Sequence, residues 1–148
     1  MDKKIEKIKR FNRFYLNVVG LYAQYTEGSP YSISEAMILY EIDQRKECTA
    51  TDLSEFFNFD KGYVSRMIHR LSKRKLIERV SDPHDKRKKY LHITDDGKKV
   101  LKELSDNASN DVRRMIEKID LSKVDSLIQS MEEIEKILSE NQGGKNDE

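Results

Sequence analysis

The sequence has little of what several classes of protein require. Its 148 residues contain one cysteine, two prolines, three histidines and no tryptophan. One cysteine excludes an internal disulfide, and three scattered histidines without a nearby cysteine do not favour a zinc site. No apolar run approaches the roughly 20 residues of a membrane-spanning helix, and Met1-Asp2-Lys3-Lys4 is not followed by the apolar core of a signal peptide. We therefore expect a cytoplasmic protein without a metal or another cofactor.

The residues also do not predict an enzyme. Acidic residues are many, but none lies with a nucleophile and a base in a recognisable arrangement, and no glycine-rich phosphate loop is present. Cys48 is interpreted as a buried structural residue, with a redox switch as the alternative. An apolar content of 36% and a charged content of 37% are typical of a single helical domain, here residues 1–148.

Positive charge is concentrated in one segment. Residues 61–90 contain eleven Lys or Arg residues and three acidic residues, a net charge of +8 in a chain whose net charge is +1. This concentration predicts a surface that contacts phosphates, as in proteins that bind nucleic acids. The alternative is a charged helix face that contacts only solvent.

The first half of this segment is predicted to be a helix. Asp60 is placed to cap its first turn. The inward face is marked by the i, i+3, i+4, i+7 spacing of Val64, Met67, Ile68 and Leu71. The outward face then carries polar and basic residues, namely Gly62, Arg66, His69 and Lys73, with Tyr63, Ser65 and Arg70 beside them.

The second half of the segment has the pattern of a β-hairpin. Two short alternating segments, 76–81 and 89–94, flank the turn 82–87. We expect the hairpin to form a basic wing whose Arg87 enters the narrow minor groove of DNA. Asp85 is predicted to pair with a guanidinium group and so to hold the tip in shape.

Two further helices are predicted before the basic one. Thr49 is the predicted N-cap of the nearer helix, whose inward residues are Leu53, Phe56 and Phe57. A capping box at 32–35 opens the earlier helix, whose apolar residues are Ala36, Ile38, Leu39 and Ile42. Helix, short turn, basic helix and hairpin together predict a mainly α fold with a small β wing, a winged helix-turn-helix core at residues 32–94.

At this point the sequence resembles a known family, the multiple-antibiotic-resistance regulator (MarR) family of winged-helix repressors. The resemblance covers nearly the whole chain and is densest from Ser32 to Gly97. It rests on Thr51-Asp52-Leu53, Asp60-Lys61-Gly62-Tyr63-Val64-Ser65-Arg66, Leu71-Ser72-Lys73, Leu76-Ile77, Asp82-Pro83, Asp85-Lys86-Arg87 and Ile93-Thr94-Asp95-Asp96-Gly97.

Within the family, the sequence is most similar to the regulator half of two-domain proteins that join this module to an acetyltransferase. The closer likeness lies in Phe11-Asn12-Arg13-Phe14-Tyr15, in Ser29-Pro30-Tyr31-Ser32 and in the run from Asp60 to Arg66. The second domain would begin at about Glu148, so we do not expect acetyl transfer by this polypeptide.

The resemblance implies which residues meet DNA. In the family, the positions of Lys61, Ser65, Arg66 and His69 face the major groove, that of Arg87 enters the minor groove, and that of Asp85 steadies the wing. The common wing pattern has an arginine where this chain has Ser81 or Asp82, which leaves Arg79 as a candidate partner for Asp85. The full set of DNA-binding candidates is Lys61, Tyr63, Ser65, Arg66, His69, Arg70, Lys73, Arg87 and Lys88.

The two terminal regions predict a homodimer. Residues 3–27 and 94–140 carry apolar stripes at helical spacing, with Asp120 or Ser122 as the cap of the last helix, and 141–148 is predicted to be a disordered tail. A small winged-helix unit cannot cover both stripes, so we expect them to pack on each other and on a second subunit. Such a dimer would place two recognition helices about 34 Å apart on an imperfectly palindromic operator. The alternative is an intrachain helical hairpin in a monomer.

Tyrosines raise the question of a ligand. Tyr15, Tyr22 and Tyr40 suit the lining of a pocket for a small aromatic or amphiphilic effector, although an ordinary core or a dimer interface is the alternative.

The leading functional hypothesis is a dimeric, sequence-specific transcriptional repressor that such an effector relieves. The rival is a winged-helix protein-interaction module, for example one that docks onto a separate acetyltransferase.

Overall fold

A computed structural model of the chain describes residues 1–19 and 29–140. Two compact units are present, one formed by Met1–Ser109 and one beginning at Asn110. The predicted mainly α fold with a small β wing is confirmed. The elements are, in chain order, α1 (Asp2–Val19), α2 (Ile33–Gln44), α3 (Ala50–Phe57), α4 (Lys61–Lys73), β1 (Ile77–Ser81), β2 (Lys89–Ile93), α5 (Asp95–Glu117) and α6 (Leu121–Glu140).

The core of the first unit is built by α2, α3, α4 and the hairpin. The predicted inward residues of α2 and α4 are all buried. They meet Leu53 of α3, Leu76, Ile77 and Leu91, which are at most 4% exposed. Cys48 belongs to the same cluster and is 0% exposed. Burial raises the pKa of the Cys48 thiol to about 11, so the thiol stays protonated at neutral pH, which favours the structural interpretation over the redox switch.

Local capping sets where the helices of the core begin and end. Thr49 caps α3 in a reciprocal capping box with Asp52, and this hydrogen bonding lowers the pKa of the Asp52 carboxyl. Asn58 ends α3 in the left-handed conformation with φ of 53°. The carboxylate of Asp60 accepts from the N–H of Tyr63 and caps α4, as predicted.

Two sequence predictions about side chains in this unit are wrong. Phe56 was expected to face inward, but it is 57% exposed. The guanidinium group of Arg45 lies over its ring, 4.7 Å from the centroid. The capping box at 32–35 is half formed, since Ser32 accepts from the N–H of Glu35. The Glu35 carboxylate instead points to Arg70 and Arg74 of the basic helix.

The hairpin is antiparallel and pairs Ile77 with Ile93 and Ser81 with Lys89 at its two ends. Each strand is one residue shorter than predicted. The backbone of Cys48 is joined to β2, because the N–H of Leu91 donates to its carbonyl at 2.7 Å. The wing is thereby fixed to the approach to α3.

The terminal helices have large apolar surfaces. The predicted helix 3–27 is observed as α1 up to Val19, and its remainder, with Tyr22, lies outside the described residues, as does the predicted tail 141–148. Asp120 accepts from the N–H of Ser122 at the start of α6. Within one chain the exposed apolar side chains of these helices include Ile5, Ile8, Phe11, Phe14, Leu121, Ile128, Ile134 and Leu138. In the described ranges, no helix has the length and apolar character needed to cross a membrane.

Candidate nucleic-acid interface

The outward face of α4 is exposed and basic. Its inward stripe is at most 2% exposed, whereas Lys61, Ser65, Arg66, His69 and Lys73 all face solvent. The predicted division of the helix into a buried stripe and a polar face is therefore present in the structure. A 13-residue helix with this division can enter the major groove and present its polar side chains to base edges and phosphates.

Tyr63 is placed differently from its neighbours. It is half-buried, and its ring meets Phe59 edge to face with centroids 5.4 Å apart. Phe59 in turn stacks on Phe57 at 5.2 Å. Tyr63 therefore anchors the first turn of α4 to the end of α3, and only part of its side chain remains to contact a ligand.

Arg70 is already bound within the protein. Its guanidinium Nε lies 3.3 Å from the Glu35 carboxylate, and half of its side chain is exposed. The exposed part can still reach a phosphate, but the bound Nε leaves Arg70 less free than Arg66 to form a bidentate contact with a base.

Asp82 organises the tip of the wing. One carboxylate oxygen accepts from the N–H of His84 at 2.7 Å and from that of Asp85 at 3.1 Å, and the other accepts from the Tyr90 hydroxyl at 3.0 Å. These hydrogen bonds lower the pKa of the Asp82 carboxyl, the N–H of His84 having the largest effect. Sequence reasoning did not assign this role to Asp82. The Asp82-Pro83 pair was the available signal, because aspartate at the first position of a turn accepts from N–H groups two and three residues later.

Asp85 stabilises the tip through the backbone. Its carboxylate accepts from the N–H of Arg87 at 3.0 Å, and its carbonyl accepts from the N–H of Lys88 at 3.0 Å. Among the described residues, neither Arg79 nor any other cation lies within ion-pair distance of Asp85, which differs from the expected guanidinium pair. The Arg87 side chain is exposed at this tip.

The wing brings further cations beside the start of α3. An open cleft is lined on one side by Arg87, Lys88 and Lys89 and on the other by the first turn of α3 from Thr49 to Asp52. The Tyr90 side chain raises the pKa of Lys88, whose amino group lies 5.5 Å from the ring centroid, so Lys88 stays charged. A second cleft, between α4 and β1, is lined by His69, Lys73 and Arg79 among others.

Asp82→Asn should loosen the wing while leaving the core folded. An amide cannot accept at both of its ends, so either the Tyr90 hydroxyl or the N–H groups of His84 and Asp85 lose their acceptor. We expect faster hydrogen exchange at the amides of His84 and Asp85 and several-fold weaker DNA binding, with an unchanged melting temperature.

Tyr90→Phe is the matched variant, because it removes one of the same hydrogen bonds from the other side and should have a smaller effect in the same direction.

Protonation of the Asp82 carboxyl should weaken the same hydrogen bonds as the substitution Asp82→Asn does. Since its pKa is lowered, wing order should persist as the pH falls below the usual range of aspartate and be lost only at the lowered pKa. Unchanged amide exchange in Asp82→Asn would contradict this role.

Of the three tyrosines predicted to line an effector pocket, Tyr40 lies in a groove that the structure describes. Tyr40, 52% exposed, lines an apolar groove of about 460 Å³ in the first unit. Tyr15 stacks on Phe11 within α1 at 5.8 Å, and Tyr22 is among the residues that are not described. The other groove residues are Ile33, Ala36, Met37, Glu41, Phe56, Phe57, Leu101, Leu104 and Ser105.

Comparison with known proteins places this geometry in a family. The sequence model described as the MarR family matches residues 31–89, which hold α2, α3, α4 and most of the wing. The HTH-type transcriptional regulator BilQ of Clostridioides difficile is 30% identical over 105 residues, which are 68% of this chain and 71% of BilQ. The chain belongs to the MarR family. It is a transcriptional regulator, and the expectation that it is not an enzyme agrees with this family.

Solved structures share the fold over most of the chain. FabT of Streptococcus pneumoniae, solved in complex with DNA, is 17% identical with a TM-score of 0.70, covering 94% of this chain and 97% of FabT. BpsR of Bordetella bronchiseptica, whose DNA binding is regulated by 6-hydroxynicotinic acid, is 20% identical with a TM-score of 0.66, covering 86% of this chain and 91% of BpsR. At these identities the likeness shows the winged-helix fold alone.

Proposed function

We propose that this MarR-family regulator is a homodimeric, sequence-specific repressor that binds an imperfectly palindromic operator. The observation that carries the proposal is the two-sided helix α4, whose apolar stripe is buried while its basic face is open. That face belongs to the same segment as the basic wing, where the net charge is +8. The DNA complex of FabT, which has the same fold, supports this choice.

The proposed contacts divide into two kinds. Phosphate contacts set the register and come from Lys61, Lys73 and Lys88, whose charges require no particular base. Base contacts come from Ser65, Arg66 and His69 on the outward face of α4. Arg87 enters the minor groove, where width rather than base identity is recognised.

The dimer is proposed from the apolar surfaces of the terminal helices. In α1 the side chains of Ile8 and Phe14 are 62% and 61% exposed within one chain, and in α6 that of Leu138 is 61% exposed. Apolar faces of this extent are unfavourable in water and mark interaction surfaces. A second copy that covers them would place two α4 helices on one side of DNA, about 34 Å apart.

An effector is proposed to bind the groove beside Tyr40. The groove has the volume of a small-molecule site, and its lining is largely apolar with a hydroxyl from Tyr40 and a carboxylate from Glu41. A small aromatic or amphiphilic molecule fits this chemistry, and the control of BpsR by 6-hydroxynicotinic acid supports the class. Because the groove joins α2 and α3 to Leu101 and Leu104 of α5, its occupant can favour one relative placement of these helices.

Two finer predictions complete the proposal. The likeness to the regulator half of MarR/acetyltransferase proteins rests on sequence runs such as Phe11 to Tyr15, and docking onto a separate acetyltransferase is an example of the rival function. A cytoplasmic location follows from the proposed contact with DNA.

The proposal is tested on the purified full chain. Light scattering should give twice the mass of one chain, and fragments selected from the host genome should contain an imperfect palindrome. The logarithm of operator affinity should fall linearly with the logarithm of salt concentration. A small aromatic acid that raises the melting temperature should weaken operator binding.

A monomer without DNA affinity at low salt would exclude the repressor and favour an interaction module.

A further inference from the structure

Glu35 is a buried carboxylate in the first turn of α2, and the proposed contacts with DNA do not use it. It is 5% exposed, and within the described residues it is the one charged residue that is buried. A carboxylate removed from water is unfavourable unless cations and hydrogen bonds compensate it. Its partners therefore indicate what the residue does.

Both partners of Glu35 lie at the C-terminal end of the recognition helix α4. Oε1 is 3.3 Å from Nε of Arg70, in the last turn of α4, and Oε2 is 3.8 Å from Nη1 of Arg74, its C-cap. Oε2 is buried and accepts no hydrogen bond from any described residue. The carboxylate is thus held by charge rather than by a full set of hydrogen bonds, so its geometry depends on where the two guanidinium groups stand.

Arg74 extends the connection to a third segment. Its Nη1 donates to the carbonyl of Pro30 at 3.3 Å, and its guanidinium lies 4.8 Å from the ring centroid of Tyr31. Pro30 and Tyr31 lead into α2, and Tyr31 also packs against the core. One arginine at the end of α4 therefore contacts the carboxylate of α2 and the segment before α2.

The opposite end of α4 is fixed independently. Asp60 caps its first turn, and Tyr63 packs on Phe59. With that end held, the contacts at the C-terminal end act on the tilt of α4 relative to α2, in addition to the packing of its buried stripe.

We propose that Glu35 and Arg74 are positioning residues that set the tilt of the recognition helix, and through it the half-site spacing that the dimer accepts. The inference rests on the proposed function. Neither residue needs to touch DNA for this role. Replacing an ion pair that has a buried carboxylate by apolar residues of the same volume is often neutral for stability. The role assigned to this pair is therefore the arrangement of α2 and α4 that its geometry favours.

The Glu35 carboxylate also affects how much positive charge Arg70 presents to DNA. With Glu35 present, Nε of Arg70 lies 3.3 Å from the carboxylate, and the charge of its guanidinium is partly neutralised. Without the carboxylate, Arg70 and Arg74 both lose this ion-pair partner, and each protomer has one more net positive charge near DNA. Loss of Glu35 should therefore tighten binding to unrelated DNA at low salt while it weakens discrimination between operators.

The test measures discrimination rather than affinity. The operator found by genomic selection is compared with a copy that has one base pair inserted between its half-sites, for the wild type, Glu35→Gln, Arg74→Gln and the double variant. The ratio of the two affinities does not depend on how much protein is folded, so a purely structural loss leaves it unchanged. We expect each single variant to reduce the ratio roughly tenfold. The double variant should be no worse than the single ones, because both act on one ion pair.

Glu103→Gln is the matched control, since Glu103 is an exposed glutamate of α5 and its replacement changes the charge by the same amount. It should keep the wild-type ratio. If Glu35→Gln does not fold, Arg74→Gln, whose side chain is 39% exposed, carries the test. Folded variants with the wild-type ratio would overturn the inference and leave the repressor intact. A wild type that binds no operator would overturn the proposed function itself.

Discussion

Arg66→Ala should lower affinity for the operator far more than affinity for unrelated DNA. Arg66 is exposed on the outward face of α4, one residue before the buried Met67. The packing of Met67 holds the backbone at Arg66 in place. An arginine that contacts guanine bidentately contributes about 1–3 kcal/mol of discrimination. A symmetric dimer has two such arginines, so the expected reduction is about 2–6 kcal/mol, or roughly 30-fold to 25,000-fold.

Lys73→Ala is the variant that separates base recognition from charge. Lys73 lies on the same face of the same helix, and its replacement removes the same unit charge. The variant should bind all sequences more weakly by a similar factor, and its salt slope should fall by about 1 for each phosphate that Lys73 neutralises. Lys102→Ala, an exposed cation paired with Asp106 on α5, should leave both affinities unchanged. Equal reductions on operator and unrelated DNA in Arg66→Ala would assign Arg66 to the phosphates instead.

Local rules were enough to predict the helix that carries these residues. The inward stripe of α4, its cap at Asp60 and the N-cap of α3 at Thr49 each depend on residues within one or two turns of each other. The hairpin was predicted to within one residue at each strand because alternation and the turn at Asp82-Pro83 are also local. Where both partners of an interaction lie close in sequence, composition and spacing identify them.

Phe56 shows where the same rules fail. Spacing alone allows an inward face centred on Leu53 that includes Phe56 or one that includes Ser54. The structure has the second, because the Ser54 hydroxyl donates to the carbonyl of Phe59 at 2.7 Å and is buried. The buried face turns toward Ser54 and Phe57, and Phe56 is left at the surface, where it takes part in the apolar groove. Hydrophobicity alone predicts that Phe56 is buried and Ser54 is exposed, which is the reverse of what the structure has.

Glu35 illustrates the second limit. Its spacing from Ser32 predicted a capping box, a local contact, but the carboxylate is used by Arg70 and Arg74, more than thirty residues away. No pattern within one segment could reveal which distant cation would reach it. The wing differs only in degree, since Asp82 and Asp85 both accept from N–H groups of the turn. Asp82 also accepts from the Tyr90 hydroxyl in the second strand, a contact that the turn residues alone do not reveal.

Gly97→Ala should destabilise the protein, although alanine is normally the better helix residue. Gly97 is the third residue of α5, where the exchange would ordinarily add about 0.5–1 kcal/mol of stability. A Cβ at this position would lie 2.1 Å from the carbonyl oxygen of Leu76 and 2.7 Å from Cγ1 of Ile93. The Leu76 carbonyl cannot easily withdraw, because it accepts from the N–H of Thr94 at 3.0 Å and the Leu76 side chain is buried. Overpacking against a fixed backbone costs about 1–3 kcal/mol.

Gly62→Ala is the control for this prediction, because it makes the same change in the first turn of another helix. There a Cβ would meet only the side-chain ends of Asp60 at 3.1 Å and Arg66 at 3.3 Å, both of which can rotate away. Urea unfolding at one fixed protein concentration should show a lower free energy of unfolding for Gly97→Ala and little change for Gly62→Ala. Equal or greater stability of Gly97→Ala would mean that α5 can move away from Leu76. The start of α5 would then not be held against the end of α4, and the wing would lack the rigid base that this packing provides.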